Sequence, residues 1–163
     1  MTWQEIVNNK DLANLPFKIE TNELGQVVMS PTKYIHGIYQ ARLVELIKQF
    51  LTNGITSTET AIATRKGVKV PDVAWSSYAF FNLHRDELDL SAAPELCAEI
   101  ISPSNTQKEI AGKRKLYFER GALEVWTCDL SGNMCFYDVD GELEVSKLAP
   151  EFPRSIELQI PES

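Results

Sequence analysis

Histidine and cysteine are scarce, with two and three residues in a chain of 163. Two histidines, His36 and His84, are too few for a histidine-rich zinc site. The cysteines Cys97, Cys128 and Cys135 are odd in number and lack metal-ligand spacing, which excludes a disulfide framework. Cys97 and Cys128 lie in apolar runs (LCAEII and VWTCDL), where cysteine behaves as a small core residue, and unpaired thiols suit a reducing cytosol. No apolar run approaches the roughly 20 residues of a membrane span. The opening residues, MTWQEIVNNKDLANLPF, carry acids and no apolar stretch of the signal-peptide kind, so a soluble, cytoplasmic protein without membrane attachment is expected. Basic residues are also in deficit: 16 Lys and Arg against 23 Asp and Glu leave a net charge of −7, which is not the balance of a basic nucleic-acid binder. Internal repeats, low-complexity segments and long Pro/Gly/Ser linkers are missing as well.

The composition that remains is that of a globular chain, 44% hydrophobic and 24% charged. A chain of this length buries roughly 70% of its unfolded surface, so one domain over residues 1–163 is expected, its core at about 17–140. GQVVMSP at 25–31 reads as a strand closed by a Ser-Pro turn. A helix is expected over 35–51, with His36, Tyr39, Gln40, Leu43, Ile47 and Phe50 on one stripe and Glu45 pointing away. Asn53-Gly54 is read as its end. GITSTETAIATRKGVKVPDVAW reads as two or three strands, GVKVPDVAW the clearest, and Pro71 inside it marks a strand end, an edge or a bulge. Residues 76–94 are polar and irregular and are read as a surface loop. ELCAEII at 95–101 is an apolar run of central-strand length. Ser104 with Gln107 three residues on is a capping-box pattern, opening a helix to about Arg120 that Gly121 ends. LEVWTCD is another strand, turned by SGN into MCFYDVD, and the tail from Gly141 holds weak strands and many acids. This order predicts an α/β fold, a mixed β-sheet flanked by helices.

Two acids stand where strands disfavour charge. Asp72 follows Pro71 in an otherwise apolar run, and Glu99 sits in CAEII, in the expected sheet interior. Desolvating a lone carboxylate costs several kcal/mol unless it is paired or ligates a metal. Taken singly, Asp72 reads first as the acid of a Pro-Asp turn, and Glu99 equally as half of a structural ion pair. The helix after the Glu99 strand changes the weighing. Thr106, Ile110, Lys113 and Tyr117 share its inward face, while Lys108 and Lys115 point elsewhere. Two strand acids and one inward lysine form a metal-dependent hydrolytic set. Asp72, Glu99 and the backbone carbonyl of Ile100 are hard oxygen ligands for Mg²⁺ or Mn²⁺. Such a cation polarises a phosphoryl oxygen and lowers the pKa of a water, and Lys113 stabilises charge on the phosphate or orients that water. His36 and the aromatics Tyr117 and Trp126 are given structural roles, and Ser102 and Ser104 serve as turn and cap.

The segments VPDV, AEIISPSN and KRKLYFERGALEVWTCD, with FKIETNELGQVVMSP and HGIYQ upstream, resemble the Uma family of restriction endonucleases, a group within the PD-(D/E)XK nuclease superfamily. The resemblance runs from Phe17 to about Asp140. It implies a restriction-endonuclease-like core with the site at one end of the central strands. It also implies that Asp72 is the acid of the PD element and Glu99 that of the second element. Ile101 stands where the superfamily usually has lysine, and Lys113 matches a lysine that the family carries on the following helix. Gln40 matches a polar position of the first helix, in preference to Glu45.

Charge is unevenly spread. Residues 60–120 hold nine basic and eight acidic residues, and the rest hold seven and fifteen. The acidity therefore lies at the ends, and Arg65, Lys66, Lys69, Lys108 and Arg114 are candidates for a cationic rim. The expected activity is metal-dependent hydrolysis of DNA phosphodiester bonds, with weak or assisted DNA binding because an anionic protein repels DNA at long range. Two alternatives stay open: a non-catalytic DNA-binding or protein-interaction module on the same fold, and a hydrolase of a smaller phosphate-containing substrate. A homodimer is expected from the need to cut two strands.

Overall fold

The structure, a computed structural model, describes residues 1–161. Its elements in chain order are α1 (Trp3–Val7), β1 (Phe17–Thr21), β2 (Val27–Pro31), α2 (Tyr34–Phe50), β3 (Gly54–Ser57), β4 (Ile62–Thr64), β5 (Gly67–Lys69), β6 (Val73–Ser77), α3 (Tyr78–His84), β7 (Leu96–Ile101), α4 (Gln107–Glu119), β8 (Glu124–Asp129), β9 (Met134–Asp138) and β10 (Gly141–Leu143). Six strands form one mixed sheet in the order β10-β9-β8-β7-β6-β3, in which only β7 and β8 run parallel. A parallel pair needs a crossover, and α4 supplies it. The hairpins β1-β2 and β4-β5 form two small sheets of their own. This is the α/β architecture expected, a mixed sheet with helices on it.

Strand periodicity explains the two covered faces. Leu96, Ala98 and Ile100 of β7 and Trp126 and Cys128 of β8 face α2, packing with Tyr39, Leu43 and Ile47. Cys97 and Val125 face the other way, toward Tyr117 of α4. Strands buried on both faces read as continuous apolar runs, which is why LCAEII and VWTC lack alternation. Glu99, two residues after Cys97, falls on the α4 side.

Several sequence expectations are corrected. GVKVPDVAW is not one strand: Pro71 and Asp72 form the corner between β5 and β6, which belong to different sheets. The segment 76–94 is not all loop. Ser77 ends β6 and caps α3 by accepting from the Phe80 N–H at 3.1 Å. The α4 cap is Thr106 with Glu109, not Ser104 with Gln107, because the Ser104 hydroxyl is bonded to that of Ser102 at 2.7 Å. Glu109 also places an anion at the helix N-terminus, which its dipole favours. Gly54 does not close α2; it starts β3, where a Cβ would lie 2.2 Å from the Ser76 carbonyl oxygen and 2.5 Å from the Trp75 ring. The buried set also continues past residue 140, since Ala149, Phe152 and Ile156 join the core and Phe152 lies 4.5 Å from Trp126 between ring centres.

Cys97 and Cys128 are fully buried, as expected, and the burial has a measurable consequence. Burial, with Glu99 nearby, raises the Cys97 thiol well above its ordinary 9.0, and burial pushes the Cys128 thiol up to about 12. The unfolded chain loses these protons from about pH 9, whereas the native state keeps them, so stability falls as pH rises. Two such groups give a slope of about 1.4 kcal/mol per pH unit at pH 9, rising toward a limit of about 2.7. Urea unfolding between pH 8 and 9.5, below the range where the buried Tyr117 adds its own contribution, should show this slope, and Cys128→Ala should make it shallower by roughly half; an unchanged slope would refute the assignment.

Candidate active site

The corner at Asp72 and the end of β7 lie side by side because β6 pairs antiparallel with β7, with Val73 opposite Ala98. Beyond that pair β6 stops, and the Ile100 N–H donates to Asp72 Oδ2 at 2.7 Å instead of to a strand. The N–H and C=O of one strand residue leave on the same side, so the Ile100 carbonyl points toward Asp72 too. From the other side α4 presents Lys113 and Tyr117, one turn apart, to Glu99. Lys113 Nζ lies 3.2 Å and Tyr117 Oη 2.6 Å from Glu99 Oε1. The structure thus brings Asp72, Glu99, Ile100 and Lys113 together.

Gln40 stands one step back. Its side chain donates to the backbone carbonyl of Asp72 at 3.1 Å, so it holds the corner rather than reaching the carboxylates. His36, one turn earlier on α2, puts Nε2 3.4 Å from Asp72 Oδ2. Glu45 is exposed and pairs with Arg42, in keeping with its outward phase. Tyr117 is a buried core aromatic whose hydroxyl also serves Glu99.

Two site residues escaped the sequence reading. Lys18 of β1 sets its Nζ 3.1 Å from Asp72 Oδ1 and 3.0 Å from Glu99 Oε2. Glu20, two residues on and on the same strand face, lies 2.8 Å from Lys113 Nζ and accepts from the Val70 N–H at 2.8 Å. The signal was the spacing in FKIET, which puts both charges on one face of a five-residue strand. The strand docks through Thr21, whose hydroxyl accepts from Val68 N at 2.7 Å. The approach is close enough that a Cβ on Gly67, at φ +90°, would lie 2.4 Å from the Thr21 carbonyl oxygen.

Three buried carboxylates therefore share two ammonium groups, and their protonation diverges. Burial raises the Glu99 carboxyl, with Asp72 and Glu20 adding to it, and Lys113 and Lys18 only partly offset this. Burial also disfavours charge on Asp72, but His36, Lys18 and the Ile100 N–H outweigh it and hold that carboxyl below the usual range. Glu20 is lowered against its burial by Lys113 and Lys18. Burial opposes the charge on Lys18, and Glu99, Asp72 and Glu20 more than restore it.

Among the described residues, no three His, Cys, Asp or Glu side chains converge as a ready-made metal cage. The donor chemistry nevertheless fits a small hard cation, since Mg²⁺ keeps several waters and takes one or two protein carboxylates. Asp72 Oδ1 and Glu99 Oε2 turn toward one point, now held by Lys18 Nζ, and the Ile100 carbonyl is directed to the same side. The cluster is the floor of a cleft of about 1030 Å³ whose lining includes Arg65, Lys66, Lys69, Lys108 and Arg114. Much of this rim is engaged: Arg65 pairs with Glu119, Lys66 with Glu23, and Arg114 stacks on Tyr137.

The fold, a mixed sheet flanked by helices, is shared with a solved structure. A structure described as a putative nuclease belonging to DUF820 from Anabaena variabilis superposes with a TM-score of 0.67 at 18% identity, over 86% of this chain and 90% of that one. Residues 12–159 match the model of the Uma2 family, described as "Putative restriction endonuclease", and the chain belongs to that family. No curated protein matches the sequence.

Proposed function

We propose that the protein is a metal-dependent endonuclease that hydrolyses DNA phosphodiester bonds. The observation that supports this reading best is the pair of carboxylate oxygens, Asp72 Oδ1 and Glu99 Oε2, aimed at one point on the floor of a cleft with a cationic rim. Asp72, Glu99 and the Ile100 carbonyl would hold Mg²⁺ or Mn²⁺, which when bound supplies Lewis-acid polarisation of a phosphoryl oxygen and an activated water. Lys113 brings a positive donor beside that point and stabilises charge developing on the phosphate. Tyr117 and Lys113 fix Glu99 through Oε1 and leave Oε2 turned to the cleft. Gln40 and the Ile100 N–H fix Asp72 in the same way, through its backbone and through Oδ2.

DNA is the substrate this reading favours, through phosphate contacts along the rim. Binding is expected to be weak and steeply salt-dependent, given the net charge of −7 and the rim's internal ion pairs. The same reading has the protein working in the cytoplasm, where its three thiols stay free, and as a two-fold dimer that cuts both strands.

Calorimetric titration of Mg²⁺ and Mn²⁺ at neutral pH and low salt tests the reading on wild type and Asp72→Ala. Binding heat in wild type that vanishes in a folded Asp72→Ala protein is the expected result, with metal-dependent DNA cleavage lost in parallel. A folded wild type that binds neither cation, with or without DNA, would refute it and leave a non-catalytic module. Metal binding with turnover of small phosphate esters but not of DNA would move the substrate instead.

A further inference from the structure

The hydrogen bonds of Asp72 and Glu99 divide unevenly between their oxygens. Glu99 Oε1 accepts from Tyr117 and Lys113, and Asp72 Oδ2 accepts from the Ile100 N–H and faces His36. The other two oxygens, Glu99 Oε2 and Asp72 Oδ1, have a single partner among the described residues, and it is the same one: Lys18 Nζ. We propose that Lys18 is a resident counter-cation that occupies the divalent-cation position between Asp72 and Glu99 and must withdraw for the metal to enter. The inference rests on the cation-binding reading of those two acids.

The physical case has three parts. A bridging ammonium at 3.0 and 3.1 Å relieves the repulsion of two buried carboxylates, so the fold holds the pair together without metal. An ammonium and a metal cannot share that point, because their like charges repel and both need the same oxygens. Finally, Lys18 has somewhere to go. It lies on β1, whose sheet is a two-stranded hairpin separate from the central six, and its side chain already lines the open cleft. A flexible four-carbon stem lets the ammonium swing into that cleft while β1 stays docked through Glu20 and Thr21. Lys18 thereby sets a threshold on metal affinity, since the competent state is only the fraction with Lys18 out.

The test compares Mg²⁺ affinity in wild type and Lys18→Met, with a second arm on unaltered protein. If the Lys18-out state is populated at about 10% or less, Lys18→Met should bind Mg²⁺ at least about tenfold more tightly. In the second arm, amine acetylation of wild type is read by mass spectrometry without Mg²⁺ and at ten times its measured Kd, where Lys18 labelling should rise several-fold. Lys147, exposed and paired with Asp138 away from the cleft, is the control and should not change. Equal or weaker Mg²⁺ binding in a folded Lys18→Met protein, or unchanged Lys18 labelling at saturating metal, overturns the counter-cation role while leaving the metal site intact. Failure of both proteins to bind Mg²⁺ or Mn²⁺ overturns the role and the metal reading together. Should Lys18→Met not fold, the labelling arm decides alone.

Discussion

If the protein is the endonuclease proposed, Lys113→Met should lower DNA cleavage at saturating metal by about 10²–10³-fold, the usual cost of removing one donor from a site that stabilises developing negative charge. Methionine keeps the length and apolar stem of lysine, so α4 keeps its packing while the ammonium goes. The ammonium lies 2.8 Å from Glu20 and 3.2 Å from Glu99, and removing it leaves Lys18 to serve all three carboxylates. Some stability is therefore lost as well, and rates are compared where circular dichroism shows both proteins folded. Glu99 is the carboxylate that burial already drives toward its neutral form, and loss of Lys113 pushes it further that way. The metal-binding isotherm separates two ways of failing. A Kd within a few-fold of wild type with a collapsed rate assigns Lys113 to the chemical step. A raised Kd, with most of the rate recovered once the metal concentration is increased to saturate the variant, assigns it to holding Glu99 ionised. Lys113→Arg keeps the charge and should recover part of the rate in the first case. A folded Lys113→Met protein that cleaves at the wild-type rate would remove Lys113 from the mechanism.

The legible part of this site was the part carried by the central sheet. Asp72 and Glu99 advertise themselves because each interrupts an apolar run, and a charge inside a covered strand needs a reason. Lys113 was readable because α4 has thirteen residues, enough turns for an inward stripe to show. Lys18 and Glu20 carry no such contrast. FKIET alternates like any half-exposed hairpin strand, and what brings it to the site is its docking on residues 47 to 50 positions away in sequence. Local pattern holds no record of a contact at that separation. The same limit hid α3, whose seven residues bury none of their side chains, so no apolar stripe marks it. Pro71 marked a strand end, an edge or a bulge, but the pattern did not show that the run on its two sides serves two different sheets.

The tail shows the limit most sharply, and it yields the largest stability effect expected. Residues from Gly141 onward read as weak, acidic strands, yet Ala149, Phe152 and Ile156 are core residues. What pins the segment is Glu124, 2% exposed at the start of β8. Its Oε2 accepts from Trp126 Nε1 and Ser146 Oγ, both at 2.7 Å, and its Oε1 accepts from the Lys147 and Leu148 N–H groups at 2.6 and 2.9 Å. Four donors converge on four acceptor sites, a match only a carboxylate supplies. Glu124→Gln replaces one oxygen by an NH₂ group, so two buried donors face another donor. Each orphaned group costs about 1–3 kcal/mol, and the loss of charge-assisted bonds adds to that, so stability should fall by roughly 3–5 kcal/mol. Urea unfolding measures the total. Hydrogen exchange should place the damage at Lys147 and Leu148, whose amides would exchange through local release of the tail before the sheet opens. Tail release uncovers Trp126 and Phe136, so its fluorescence signature is a red-shifted tryptophan emission ahead of the main transition. A Glu124→Gln protein within about 1 kcal/mol of wild type, with protected amides at 147 and 148, would mean that Phe152 and Ile156 hold the segment by apolar packing alone.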